Sequence, residues 1–102
     1  MEDITVTELQ EKIENSEKVQ LLDVRQPHER EEFNIGGEFI PLGELTNRMA
    51  DMPFDKEKEV IIYCRSGNRS GVAKELMEKQ GFEKARNLLG GMLAWSKLME
   101  KE

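Results

Sequence analysis

Short apolar runs alternate with helical patterns along the chain. Residues 19–24 (VQLLDV) and 59–63 (EVIIY) are almost continuously apolar, as expected of strands that are buried on both faces. Residues 4–6, 38–40 and part of 84–89 are weaker strand candidates. Strands that alternate with helices over about 100 residues predict an α/β fold, with a mostly parallel sheet that helices cover on both faces. The weak strands leave the strand order open.

The first three predicted helices have recognisable starts or ends. Thr7 and Gln10 form a capping box, which places the start of the first helix at Thr7. A short helix is predicted over residues 28–33. A longer helix is predicted between Pro41 and Pro53, where apolar residues recur at helical spacing.

The helix after residues 59–63 is marked at both ends. Ser70 is its predicted N-cap, and Gly81 is its predicted C′ glycine. Its predicted buried face consists of four residues at helical spacing, Val72, Ala73, Leu76 and Met77. Gly90 and Gly91 then turn into a last helix with one apolar stripe, formed by Met92, Trp95 and Met99.

Composition narrows the class of protein. The chain has 102 residues and neither a linker nor an internal repeat, so we expect one domain over residues 1–102. Its net charge of −6 argues against a nucleic acid or an anionic membrane as partner. No apolar run approaches the ~20 residues of a membrane span, and MEDITV does not resemble a signal peptide, so a soluble cytoplasmic protein is expected. One cysteine with one histidine, His28, can form neither an internal disulfide nor a zinc cluster.

The single cysteine, Cys64, stands where the clearest strand stops and a helix follows. In open α/β sheets, ligand sites lie beyond the carboxyl ends of the strands, and a helix N-terminus favours an anion there. Gly67 can adopt a positive φ, so the loop from Cys64 to Arg69 can curl with its amides pointing inward. Such a loop would stabilise a thiolate and lower its pKa. The alternative interpretation is that Cys64 is a small buried hydrophobic residue.

Charged residues near this loop have two interpretations each. Arg65 and Arg69 are either solvated surface residues or guanidinium groups that bind an anion beside the thiol. Asp23 ends the second strand candidate and is expected at the same edge of the sheet. It either holds the loop, through its amides or an arginine, or caps the turn that follows. His28 is interpreted as a turn or helix-start residue.

Four segments of the chain then point to a known family. LLDVRQPHER, IPLGEL, VIIYCRSGNRS and LLGGMLAW occur in the order seen in rhodanese-like sulfurtransferases, and the chain resembles a stand-alone single-domain member over almost its whole length. The resemblance implies a five-stranded parallel sheet. It also implies that Cys64 attacks the outer sulfur of thiosulfate or another sulfane donor, expels sulfite, and carries a persulfide until cyanide or a thiol accepts the sulfur.

The expected site follows from this resemblance. Cys64 is the expected nucleophile, Asp23 and Arg25 support it, and the substrate-binding loop comprises Arg65, Ser66, Gly67, Asn68, Arg69 and Ser70. No metal or cofactor is expected. The expected partners are a small-molecule sulfur donor, a cyanide or thiol acceptor, and a sulfur-relay protein. The chain departs from the family at residues 33–38 (FNIGGE), where Gly-His-Ile-Pro-Gly-Ala is common, so the preferred donor stays open.

Two other kinds of function compete with free-standing sulfur transfer. Cysteine phosphatases and the related arsenate reductases use a similar loop that is one residue longer, with an arginine six positions after the cysteine. Here Ser70 occupies that position, Arg69 comes one residue earlier, and a second thiol is absent from the sequence. The stronger alternative is a rhodanese module that acts as a sulfur carrier or an interaction surface without free-standing thiosulfate activity.

Overall fold

The computed structural model describes residues 1–101, which form an α/β fold around one parallel sheet. The strands, in spatial order β2-β1-β3-β4, are β1 (Gln20–Asp23), β2 (Glu38–Phe39), β3 (Val60–Tyr63) and β4 (Ala85–Asn87). The helices are α1 (Val6–Glu14), α2 (Pro27–Glu32), α3 (Leu42–Arg48), continued by a 3-10 turn over Met49–Asp51, α4 (Asn68–Lys79) and α5 (Gly91–Glu100). The predicted fold class is therefore confirmed.

Two hydrophobic cores lie on the two faces of the sheet. Along β3, Val60 and Ile62 pack into the core that α3 and α4 cover, whereas Ile61 and Tyr63 pack into the core that α1 and α5 cover. Both faces of this strand are fully buried. Burial on both sides explains why the sequence of β3 is a continuous apolar run instead of an alternating one.

The first segment of the chain differs from the prediction. Residues 4–6 do not form a strand, since only Ile4 makes an isolated parallel bridge with Leu88. The helix begins earlier than predicted, because Thr5, not Thr7, is the N-cap and its hydroxyl accepts the amide of Glu8 at 3.1 Å. The chain leaves the sheet edge immediately after Ile4. The resemblance implies five strands. Within residues 1–101 the sheet has four strands, and an isolated bridge at Ile4 takes the place of the fifth.

The start of α4 also differs from the prediction. Gly67, with φ 101°, is the N-cap, and Ser70 lies inside the first turn with its side chain fully buried. The buried face consists of Ser70, Ala73 and Met77, while Val72 is 49% exposed. The helix starts earlier because glycine tolerates the left-handed conformation that the turn requires. Consequently the side chain of Ser70 faces the carboxyl end of β3.

The end of α4 agrees with the prediction. Gly81 has a φ of 96° and donates its amide to Glu78 O at 3.1 Å, while the Phe82 amide donates to Met77 O at 3.1 Å. These two bonds form a Schellman motif, which satisfies the last carbonyl groups of the helix. Phe82 is buried directly behind it.

Helix α5 holds the loop that follows β3. The amide of Met92 donates to the carbonyl of Cys64 at 2.9 Å, and that of Leu93 donates to the carbonyl of Arg65 at 3.0 Å. Gly91, with φ 53°, permits this approach, because a Cβ atom there would lie 2.4 Å from Cys64 O. Within residues 1–101, none of the helices is long and apolar enough to cross a membrane.

We expect Gly91→Ala to destabilise the protein by about 2–4 kcal/mol, because the added methyl group collides with backbone and the positive φ is strained. Gly43→Ala is the matched control, since a Cβ atom at Gly43 meets no atom within 4 Å. The control should leave stability unchanged or raise it by about 0.5 kcal/mol. Urea unfolding of both variants measures the difference, and equal midpoints would contradict the close approach of α5 to the loop.

Candidate active site

Cys64 lies at the carboxyl end of β3 and is 1% exposed. Three groups donate hydrogen bonds to its Sγ atom: the amide of Gly67 at 3.1 Å, the amide of Ser70 at 3.4 Å and the hydroxyl of Ser70 at 3.3 Å. The loop therefore curls around the sulfur with amides pointing inward, as the sequence predicts. Negative charge on this sulfur, or on an atom attached to it, meets an array of donors.

The surroundings of Cys64 favour its thiolate. Burial is the largest single influence and raises the pKa of the thiol. The hydroxyl and amide of Ser70, with the amides of Gly67 and Ser66, act in the opposite direction and together hold the pKa of Cys64 below its ordinary value. The direction agrees with the expectation from the inward amides. Ser70, predicted as a helix cap and as the last residue of the substrate-binding loop, is one of the groups that stabilise the thiolate.

Arg69 is paired with a carboxylate. Its Nη1 and Nη2 atoms donate to Oε1 and Oε2 of Glu29 at 2.7 and 2.9 Å. These hydrogen bonds hold the pKa of Glu29 down at about 2. Arg69 also interacts electrostatically with Cys64. It contributes positive charge near the sulfur, but its guanidinium fork is already occupied.

Arg65 has a different environment. It is exposed, and within residues 1–101 its side chain makes neither a hydrogen bond nor an ion pair. It lines a cleft of about 520 Å³ beside the cysteine loop, together with Phe33 and Leu93. Phe33, which begins the segment that departs from the family pattern, is 50% exposed there. Arg65 is therefore the loop arginine that is available to an anion in the cleft.

Asp23 and Arg25 form a buried ion pair at the end of β1. Asp23 accepts the backbone amide of Arg25 at 3.0 Å and its guanidinium at 2.9 Å through both carboxylate oxygens. Arg30 adds a fourth contact at 3.4 Å. Asp23 therefore caps the turn after β1 and binds arginines, and within residues 1–101 it makes no hydrogen bond with an amide of the cysteine loop. Arg25 also lines the cleft and lies over the ring of Tyr63, 5.4 Å from its centroid.

The altered segment, residues 33–38, is anchored by three side chains. Arg25 donates to the carbonyl of Phe33 at 2.6 Å, Arg30 donates to the carbonyls of Gly36 at 3.2 Å and Gly37 at 2.9 Å, and the Tyr63 hydroxyl donates to Gly36 O at 2.9 Å. The bond from Arg25 fixes the backbone of Phe33, which lines the cleft. His28 lies in the first turn of α2 and also lines the cleft, in agreement with its interpretation as a helix-start residue.

The two remaining loop residues, Ser66 and Asn68, have different environments. The backbone amide of Ser66 helps to lower the pKa of Cys64, whereas Ser66 itself is exposed. Asn68 is exposed at the first position of α4 and lines a shallow groove on the far side of Gly67. Among residues 1–101, no group of three or more His, Cys, Asp or Glu residues is arranged to bind a metal ion.

Sequence reasoning missed two residues at this site. Glu29 binds Arg69 although 40 positions separate them. Asn87, at the end of β4, donates from Nδ2 to Gly67 O at 3.0 Å, and its Oδ1 lies 2.5 Å from the hydroxyl oxygen of Ser70. The available signal for Asn87 was its place in the last strand candidate, at the edge of the sheet where Cys64 lies.

Known proteins share this architecture. Residues 5–98 match the model of the rhodanese-like domain. The chain is 36% identical over 90 residues to "Sulfurtransferase" of Allochromatium vinosum, which covers 87% of this chain and 82% of that protein. It is 37% identical over 95 residues to "Putative sulfur carrier protein YrkF" of Bacillus subtilis, covering 92% of this chain but 50% of that protein. The chain thus spans about half the length of YrkF. A crystal structure of a rhodanese-like domain protein from Staphylococcus aureus superposes with a TM-score of 0.83 at 33% identity, covering 93% of this chain and 91% of that one.

We expect alkylation of Cys64 by iodoacetamide to show an inflection below the free-thiol value of ~8.5, because amides and a hydroxyl stabilise the thiolate. Arg65→Ala should move this inflection only slightly upward, since the charge of an exposed side chain is screened. The pH profile of the alkylation rate measures both. An inflection at or above the free-thiol value in the wild type would show that the loop does not activate the thiol.

The pair of Glu29 and Arg69 gives a second prediction. Because the folded state lowers the pKa of Glu29 from 4.5 to about 2, the pair stabilises the fold above pH 4.5 and is lost as the pH falls toward 2. Glu29→Gln should therefore remove about 1–2 kcal/mol at pH 7 and much less near pH 2. Urea unfolding at both pH values measures this, with Glu32→Gln on the same helix as the control. A loss in Glu29→Gln that is equal at both pH values would contradict the ionic contribution.

Proposed function

The chain belongs to the rhodanese-like domain family, and on that premise we propose that it is a sulfurtransferase whose Cys64 carries a persulfide. One observation supports this most directly. A buried thiol at the carboxyl end of β3 accepts hydrogen bonds from two amides and a hydroxyl. Such a pocket stabilises a thiolate before the reaction and a single extra anionic atom after it.

The proposed first step loads the sulfur. The thiolate of Cys64 attacks the outer sulfur of thiosulfate, a new S–S bond forms, and the original sulfur–sulfur bond breaks with its electron pair leaving on sulfite. Cys64 then carries a persulfide, whose outer sulfur holds the negative charge. Arg65 lines the cleft without a side-chain partner among residues 1–101 and attracts the dianionic donor, while the amides near Cys64 orient the thiolate.

The proposed second step unloads the sulfur. A nucleophile, cyanide or a thiolate, attacks the outer sulfur of the persulfide and takes it away. The bond to Cys64 Sγ breaks with its electron pair remaining on the cysteine, which regenerates the thiolate. The hydrogen bonds from Ser70 and Gly67 stabilise this leaving group.

The geometry disfavours phosphoryl transfer. A phosphatase needs a free guanidinium fork for the oxygens of the transferred group. Here the Nη1 and Nη2 atoms of Arg69, the arginine closest to that position in the loop, are both bound by Glu29. The pairing of Arg69 with Glu29 and the shorter loop both favour transfer of a single sulfur atom over transfer of a phosphoryl group.

A sulfur carrier that receives its persulfide from a partner protein is the second candidate function. The cleft that Arg65 lines is about 520 Å³, larger than thiosulfate requires, and Phe33 and Leu93 expose apolar surface along it. Such surface suits a polypeptide better than a small dianion. The printed name of one relative, "Putative sulfur carrier protein YrkF", supports the same candidate.

We expect the wild-type protein to gain the mass of one sulfur atom after incubation with thiosulfate, and to lose it when cyanide is added. Cys64→Ser should gain nothing, because a serine hydroxyl is not ionised at neutral pH and cannot hold a persulfide. Arg65→Ala should require more thiosulfate for the same loading, because it removes the cation beside the cleft. Intact-protein mass spectrometry measures all three.

Loading by a protein persulfide but not by thiosulfate would favour the carrier function. If neither donor adds sulfur to the wild-type protein, the proposed function is wrong.

A further inference from the structure

Behind Cys64, two buried polar side chains lead away from the sulfur, those of Ser70 and Asn87. The hydroxyl of Ser70 lies 3.3 Å from Cys64 Sγ and 2.5 Å from Oδ1 of Asn87. Ser70 is fully buried, and Asn87 is 8% exposed. Asn87 extends from β4, the strand beside β3, so this contact reaches the sulfur from behind the loop.

The orientation of the Asn87 amide is fixed. Nδ2 donates to the carbonyl of Gly67 at 3.0 Å, which leaves Oδ1 facing Ser70. The backbone of Asn87 is fixed as well, because its amide donates to a carboxylate oxygen of Asp3 at 3.0 Å. Gly67 O also accepts the amide of Gly71 at 3.1 Å. The loop carbonyl therefore keeps one partner even without Asn87.

Ser70 has one hydroxyl proton and two neighbours that can accept it. When Cys64 is a thiol, its S–H can donate to Ser70 Oγ, and the hydroxyl proton is free to bind Asn87 Oδ1. When Cys64 ionises, the thiolate needs that same proton as a hydrogen bond. Turning the hydroxyl toward the sulfur leaves Asn87 Oδ1 without its donor in a buried site, which costs free energy.

We propose that Asn87 is a positioning residue that competes with the sulfur of Cys64 for the hydroxyl proton of Ser70 and thereby limits how readily the thiol ionises. This inference deepens the proposed function and rests on it only for its effect on sulfur transfer. A less acidic thiol gives a more nucleophilic thiolate, and attack is most effective when the thiol titrates near the ambient pH. In the persulfide the charge moves to the outer sulfur, and the hydroxyl turns back to Asn87.

Other charges near the thiol are not altered by the test. The loop carries Arg65 and Arg69, the end of β1 carries the pair of Asp23 and Arg25, and α2 contributes Glu29. Helix α5 presents backbone amides to the loop. Substitutions at Ser70 and Asn87 remove only uncharged groups, so a change in ionisation reports on their hydrogen bonds.

The test is the pH profile of iodoacetamide alkylation in the wild-type protein and four variants. Ser70→Ala should raise the inflection by about one pH unit, because the thiolate loses a hydrogen bond. Asn87→Ala should lower it by about half a unit, because the competitor for the proton is gone. The double variant should match Ser70→Ala, since Asn87 acts through the hydroxyl. Asn47→Ala, at an exposed position of α3, is the control and should match the wild type.

The opposite sign overturns the proposal. If Asn87 merely supports the loop, its removal loosens the donors to the sulfur, and the inflection rises or stays unchanged. A wild-type measurement covers the case in which Asn87→Ala does not fold: the side-chain amide signals of Asn87 in a ¹⁵N–¹H spectrum should shift with the same inflection as Cys64. If the chemical shifts of these signals do not change over the pH range in which Cys64 ionises, the proposal is also overturned. Alkylation needs no sulfur donor, so a failure of the proposed sulfur transfer leaves this test intact.

Discussion

The site depends on how α5 binds the outer side of the cysteine loop. Two amides in the first turn of this helix donate hydrogen bonds to the carbonyl oxygens of Cys64 and Arg65, at 2.9 and 3.0 Å. The carbonyl of Arg65 and the N–H of Ser66 belong to one peptide group and point in opposite directions, so this N–H is directed to the sulfur. The carbonyl groups of Cys64 and Arg65 thus have partners, which is the condition for burying them. Gly91 makes this possible, because any side chain there would push the helix away from the loop.

The positive character of the site does not come from the overall charge of the protein. The chain has a net charge of −6. Near the thiol, Arg25 and Arg30 are bound by Asp23, and Arg69 is bound by Glu29. Backbone amides and one hydroxyl therefore supply most of the stabilisation of the thiolate, and Arg65 is exposed at the cleft beside the loop. Dipoles in direct contact are effective here because they are fixed and unscreened, unlike surface charges.

Local features of the structure could be predicted from the sequence, and contacts between distant segments could not. The continuous apolar run at β3, the positive φ of Gly67 and the Schellman motif at Gly81 each depend on a few adjacent residues. The start of α1 was misplaced because Thr5 and Thr7 both have the pattern of a capping residue. Burial of Ile4 and Leu9 selects Thr5. The contacts of Arg69 with Glu29 and of Ser70 with Asn87 join residues 40 and 17 positions apart, so no local pattern contains them.

The single backbone bridge at Ile4 affects whether copies of this protein can associate through the edge of the sheet. Ile4 exchanges hydrogen bonds with the backbone of Asn87 and Leu89, and Arg86 binds the carbonyl of Glu2. These contacts cover the outer edge of β4 with a segment too short to be a strand itself. Trimming the first five residues would leave an open sheet edge, which is a template for strand addition and self-association. The first five residues therefore cover the edge of β4 and prevent a strand of another molecule from pairing with it.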